Sequence, residues 1–61
     1  MKYVEIAYEY LRETEVAVHI FDGEDEYWIP KSCIEDGHHV DWSKEEEMPI
    51  AEWFAIDKGI V

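Results

Sequence analysis

Basic residues are scarce in this chain. Five lysines and arginines face sixteen acids across 61 residues, giving a formal net charge of −11. A magnitude of roughly 2–8 already serves solubility in a small domain, and a larger surplus opposes compaction by self-repulsion. So little positive charge argues against direct binding to nucleic acid or to an anionic membrane.

Cysteine is nearly missing as well. Cys33 stands alone, which excludes an internal disulfide framework and makes a reducing compartment the simplest expectation. No apolar stretch approaches the ~20 residues that span a bilayer. Met1-Lys2-Tyr3-Val4-Glu5 lacks the basic-then-apolar order of a secretory signal. With only three glycines and two prolines, there is no repeat, flexible linker or low-complexity tract. There is also no glycine-rich phosphate loop, and no nucleophile in a recognisable context. Carboxylates are abundant enough to pair by chance, but catalysis needs a pocket that drives their pKa values apart, which so short a chain can scarcely enclose. The expectation is therefore that the chain is not an enzyme. Cys33, His38 and His39, with Asp36 and Asp41 nearby, match no zinc-finger spacing, and adjacent histidines on a strand point to opposite faces. Neither a metal nor another cofactor is expected.

What the chain does have is apolar mass. Nearly half of it is hydrophobic, with three Trp, four Tyr and two Phe. This is too apolar for a disordered acidic tail. Aromatic side chains bury on the order of 150–250 Å² each, so a few can build a small core. At least two of Trp28, Trp42 and Trp53 are expected inside. Residues 1–61 read as a single compact acidic domain.

The periodicity supplies the elements. Residues 3–12 alternate, with Val4, Ile6, Tyr8 and Tyr10 on one face and Tyr3, Glu5, Ala7, Glu9 and Leu11 on the other. This reads as a half-buried strand, with a helix as the competitor. Residues 15–21 alternate again, Val16, Val18 and Ile20 against Ala17, His19 and Phe21. Asp22-Gly23 signals a hairpin turn, and the return strand covers about 25–29 before Pro30 stops it. Tyr27 and Ile29 share one face of that strand and Trp28 the other, where an exposed aromatic could anchor a partner. Residues 31–37 read as a turn or single helical turn closed by Gly37. Between 38 and 48, Val40 and Trp42 suggest a fourth strand, although Ser43-Lys44-Glu45-Glu46 also fits a capping box. Pro49 suits the first turn of a helix, with Ile50, Trp53 and Phe54 as its apolar stripe and Gly59 as its stop. The expected class is α+β: a small antiparallel sheet of three to four strands with one C-terminal helix packed on one face.

Three segments carry a resemblance: Arg12-Glu13-Thr14-Glu15-Val16-Ala17-Val18, Tyr27-Trp28-Ile29-Pro30-Lys31-Ser32-Cys33-Ile34 and Pro49-Ile50-Ala51-Glu52-Trp53-Phe54-Ala55-Ile56-Asp57-Lys58-Gly59. Together they resemble a group of small phage- and prophage-encoded proteins with a Trp-Ile-Pro-Lys-Ser corner and a C-terminal Pro-Glu-Trp helix. Here Ile50-Ala51 separates Pro49 from Glu52, and Phe54 replaces a leucine. The resemblance implies a phage setting, the cytoplasm of an infected bacterial host and a small α+β fold. It implies no mechanism. Small acidic phage proteins include DNA mimics and anti-CRISPR inhibitors, which offers an analogy.

The acids are clustered. Glu24, Asp25 and Glu26 crowd the hairpin turn beside Asp22, and Glu45, Glu46 and Glu47 are consecutive. These six are the first candidates for partner contact. Glu5 and Glu9 on one strand face, with Glu35 and Asp36 after the proline corner, are the second tier. The plain alternative is that all of them merely solvate the surface, but mixed charges would do so with less repulsion. The expected partner is a basic nucleic-acid-binding protein or complex, a CRISPR effector by the phage analogy, blocked by an anti-CRISPR-type inhibitor acting as a DNA mimic. From another class comes a non-catalytic accessory or structural module of phage DNA metabolism or assembly, packing through its aromatic face. A monomer is expected for the inhibitor and a dimer is the alternative.

Overall fold

The first dozen residues alternate as the sequence requires, but they do not form one strand. In the computed structural model, which describes residues 1–61, the chain breaks at Tyr8 into β1 (Tyr3–Ala7) and β2 (Glu9–Glu13). The two halves join different sheets. β1 pairs antiparallel with β5 (Glu47–Ala51), while β2 heads a three-stranded antiparallel sheet with β3 (Ala17–Phe21) and β4 (Glu26–Pro30). Period-two patterning fixes which face is buried and is blind to a change of neighbour. Ile6 is buried, and Val4, Tyr8 and Tyr10 pack against the same core across the break. A bulge between Tyr10 and Arg12 adds one residue to β2 against β3 and leaves Leu11 exposed.

The β3–β4 hairpin follows its sequence signal. Val18 and Ile20 on β3 and Ile29 on β4 are wholly buried, while Val16, one step before β3, is 68% exposed. Gly23, at φ +106°, and Glu24 form the tip of the turn. Pro30 closes β4, paired with Ala17.

Two expectations for the second half are corrected, the fourth strand and the helix start at Pro49. Val40 and Trp42 do not form a fourth strand, because Trp42–Lys44 is a 3₁₀ turn. Its cap is Asp41, whose carboxylate accepts from the Ser43 N–H, so the Ser43 capping box starts no helix. Pro49 opens no helix either and sits in the middle of β5 opposite Glu5. It is tolerated there because its nitrogen points away from β1. The Glu52 N–H donates to the Lys2 carbonyl, and antiparallel bonding alternates along a pair. The residues of β5 that bond to β1 are therefore Ile50 and Met48, and Pro49 lies between them. Its carbonyl accepts instead from the Glu35 N–H on the far side, beside the Ile34–Ile50 bridge.

The helix α1 is short, Glu52–Asp57. Ile50 thus belongs to β5, and only Phe54 and Ala55 of α1 are buried. Gly59, at φ +73°, ends it in a Schellman motif: the Gly59 N–H bonds to Ile56 O and the Ile60 N–H to Ala55 O. Of the tryptophans, Trp42 alone is in the core at 2% exposure. Trp28 is 43% and Trp53 56% exposed, contrary to expectation. The fold is α+β, with five strands in two sheets and one C-terminal helix. No helix is long and apolar enough to cross a membrane.

Candidate functional site

The outer face of the β1–β5 pair is acidic by register. Glu5 stands opposite Pro49 and Ala7 opposite Glu47. Their even-numbered neighbours Ile6, Met48 and Ile50 are buried, so these four residues lie together on the side away from the core. They floor a depression of about 680 Å³. Glu35 and Asp36 wall it beyond β5, where the Glu35 N–H to Pro49 O bond (2.9 Å) holds them. Val40, Trp42, Glu45 and Glu46 complete the rim.

That wall is fixed from below. Trp42 donates its indole N–H to the Gly37 carbonyl at 3.1 Å. Tyr8, at the break between β1 and β2, donates its hydroxyl to the Trp42 carbonyl. Asp36 takes a positive φ of 56°. Gly37 is required by space, since a Cβ there would stand 2.2 Å from the Lys31 carbonyl oxygen. Asp41 accepts from both the N–H and the hydroxyl of Ser43, and these bonds, helped by the Lys44 charge, hold its carboxyl below the usual range. Burial, then the negative charges of Glu45 and Asp41, push the Tyr8 hydroxyl up to about 12.

Six of the ten acids singled out from the sequence meet here: Glu5, Glu35, Asp36, Glu45, Glu46 and Glu47. No lysine, arginine or histidine lines the depression, and none of the six is in an ion pair. The ion pairs lie elsewhere, at Glu13–Lys31 (2.7 Å), Asp41–Lys44 (3.8 Å) and Asp57–Lys58 (4.0 Å), and Glu26 Oε1 meets His19 Nε2 at 2.9 Å.

The other four acids are not in it. Glu9, past the break, lines a smaller depression of about 290 Å³ with Ala7, Tyr8, Phe21, Asp22 and Gly23. Ala7 borders both hollows. Asp22 organises the neighbouring turn by accepting the N–H groups of Glu24 and Asp25, both at 2.8 Å. These bonds hold its carboxyl below the usual range. Glu24 and Asp25 stand on that turn. Together with Asp22 their charge adds to burial in pushing the Tyr27 hydroxyl up. Glu26 is engaged by His19. Asp22 was the residue the candidate set missed, although its position ahead of a glycine in a turn is a sequence signal for such capping.

A second surface lies on the outer face of the three-stranded sheet. Arg12, His19 and Trp28 are in register across β2, β3 and β4. The His19 ring stacks on Trp28 (centroids 4.5 Å apart, 10° between planes), and the Arg12 guanidinium carbon is 5.4 Å from the Trp28 ring centre. His19 Nδ1 is buried without a hydrogen-bond partner. No group of three or more His, Cys, Asp or Glu side chains is arranged to hold a metal ion.

No protein-family model, curated protein or solved structure matches this chain.

Proposed function

We propose that the chain is a non-catalytic inhibitor that occupies a positively charged nucleic-acid site on another protein, standing in for DNA. Six unpaired carboxylates on one concave, base-free surface carry this reading. Acids that merely solvated a surface would have no reason to converge on a hollow with a braced wall. Converged, they attract a basic groove, speed encounter by electrostatic steering and displace its counterions. Following the phage resemblance, the target class is a CRISPR effector and the setting the cytoplasm of an infected bacterium. Glu5, Glu35, Asp36, Glu45, Glu46 and Glu47 form the principal contact. Glu9, on the hollow that shares Ala7 with it, lies at its margin, and Glu24, Asp25 and Glu26 stand outside it on the β3–β4 hairpin as secondary contacts.

The test is charge reversal in two separate sets, Glu45, Glu46 and Glu47 to Lys, and Glu24 and Asp25 to Lys. Capture of a CRISPR effector complex is measured against salt. The first set should weaken capture by about 100-fold or more, since close charge pairs at steered interfaces couple by ~1.5 kcal/mol or more each. The second set should weaken it less. Capture unchanged by both sets, or insensitive to salt, contradicts the proposal.

A second reading is favoured by the exposed Trp28 beside His19 and Arg12. Here the chain is an accessory or structural module that packs through its aromatic sheet face. A salt-independent dimer lost on Trp28→Ala would support it, whereas a monomer at all salt concentrations would not.

A further inference from the structure

Three of the four strand edges open to solvent or loops are closed to pairing, and one is not. On β4, the hairpin register leaves the backbone groups of Glu26, Trp28 and Pro30 facing outward, and Pro30 has no N–H to offer. On β2, the bulge at Leu11 breaks the edge. The far edge of β5 is taken by Ile34 and Glu35. β1 differs. Its bonds to β5 run through Lys2, Val4 and Ile6, as fixed by the Glu52 N–H to Lys2 O bond. Tyr3, Glu5 and Ala7 therefore turn their N–H and C=O groups to the other side, where no strand pairs with them. This edge is regular, unbroken and free of proline.

We propose that the outer edge of β1 receives an extended basic segment of the target protein as an added strand. This rests on the reading that the acidic face meets a basic partner, and it names the form that the partner takes. The unpaired backbone groups supply the docking ladder, and the flanking charge selects the occupant. Glu5 lies on the outer face of β1 itself with Glu47 one strand behind it on β5, and Glu9 and Asp22 line the hollow beyond Ala7. Lys2, one residue before β1, is a base at its far end. A second copy of this chain is a poor occupant, because it would bring another net charge of −11 against the same acids. On an added strand, alternate side chains fall on the outer face beside Glu5 and on the inner face beside Val4 and Ile6. The favoured segment thus alternates Lys or Arg with apolar residues.

The experiment titrates the full chain with two synthetic peptides of equal charge, each about eight residues long, the length of a short strand. One alternates Lys and Val, and the other carries Pro at every second position so that it cannot pair. Amide hydrogen exchange and backbone chemical shifts are followed residue by residue. The alternating peptide should protect the Tyr3, Glu5 and Ala7 amides, leaving the Val4 and Ile6 amides as protected as before. The proline peptide should protect none of them. In the variant Ala7→Pro, which keeps the charge and alters an N–H that β5 does not use, affinity for the alternating peptide should fall about tenfold. Equal binding of both peptides with salt dependence, and no edge protection, overturns the edge proposal while leaving the acidic-face reading intact. No binding of either peptide at low salt overturns both.

Discussion

Gly37→Ala probes the brace behind the acidic depression. The added Cβ would meet Lys31 O at 2.2 Å, Lys31 C at 3.0 Å and the Ile34 Cβ at 3.1 Å. Contact between carbon and oxygen needs about 1 Å more than the first of these, so backbone must move. Neither side is free to do so. The Lys31 carbonyl accepts from the Ile34 N–H, and the Lys31 N–H is bonded to Val16 O. Gly37 itself donates to Ile34 O and accepts the Trp42 indole N–H. Overpacking of this kind costs about 2–3 kcal/mol. Since φ at Gly37 is not positive, alanine would otherwise stabilise by ~0.4–1 kcal/mol through the unfolded state, so the sign of the change separates the two effects. Against a total stability of about 3–9 kcal/mol for a chain this short, the loss is large. In a thermal melt followed by tryptophan fluorescence it should lower Tm by about 10–20 °C. A variant as stable as the parent, or more so, would refute the close approach and the fixed wall that depends on it.

Trp42→Phe should destabilise by about 2–3 kcal/mol in urea unfolding, because it removes ring volume from the core and leaves the Gly37 carbonyl without its donor. Stability should rise as sodium chloride is raised from about 10 to about 150 mM, because screening relieves repulsion among the unpaired acids, and a flat or falling curve would contradict this. In alkali, Tyr8 should titrate at about 12 by ultraviolet difference spectroscopy. The folded state holds that proton where the unfolded state has released it, so the Tyr8 contribution, complete below pH ~10, is lost as pH rises towards 12. In acid the sign reverses. Asp22 and Asp41 have carboxyls below the usual range, so their stabilisation is present above pH ~4 and lost as pH falls through their folded values. Asp22→Asn should flatten that acid limb of the stability curve.

Much of the fold was legible because burial has a period. Val4, Ile6, Tyr8 and Tyr10 face inward as their alternation demands, and Val18, Ile20 and Ile29 make the wholly buried layer of the hairpin. The same alternation hid the break at Tyr8, since a strand that changes sheets keeps its inside and outside. Pro49 misled because its local chemistry fits a helix start, whereas its place in β5 depends on which way one nitrogen points in a ladder of distant partners. Trp28 and Trp53 are exposed because isoleucines and Met48 fill the centre, and composition does not say which large residues a core will take. The acid clusters were visible as runs. Their meeting was not, because it needs β1 and β5, which are far apart in sequence, to pair in one register beneath the 35–46 segment.

The proposed function has the acids of one braced hollow stand in for phosphates. Its most direct test is displacement of a labelled DNA duplex from a CRISPR effector by the parent chain and by the Glu45, Glu46 and Glu47 to Lys variant, matched for folding by circular dichroism. The parent should displace the duplex in a salt-sensitive manner and the variant should fail. Equal displacement by both, or none by the parent at low salt, would contradict it.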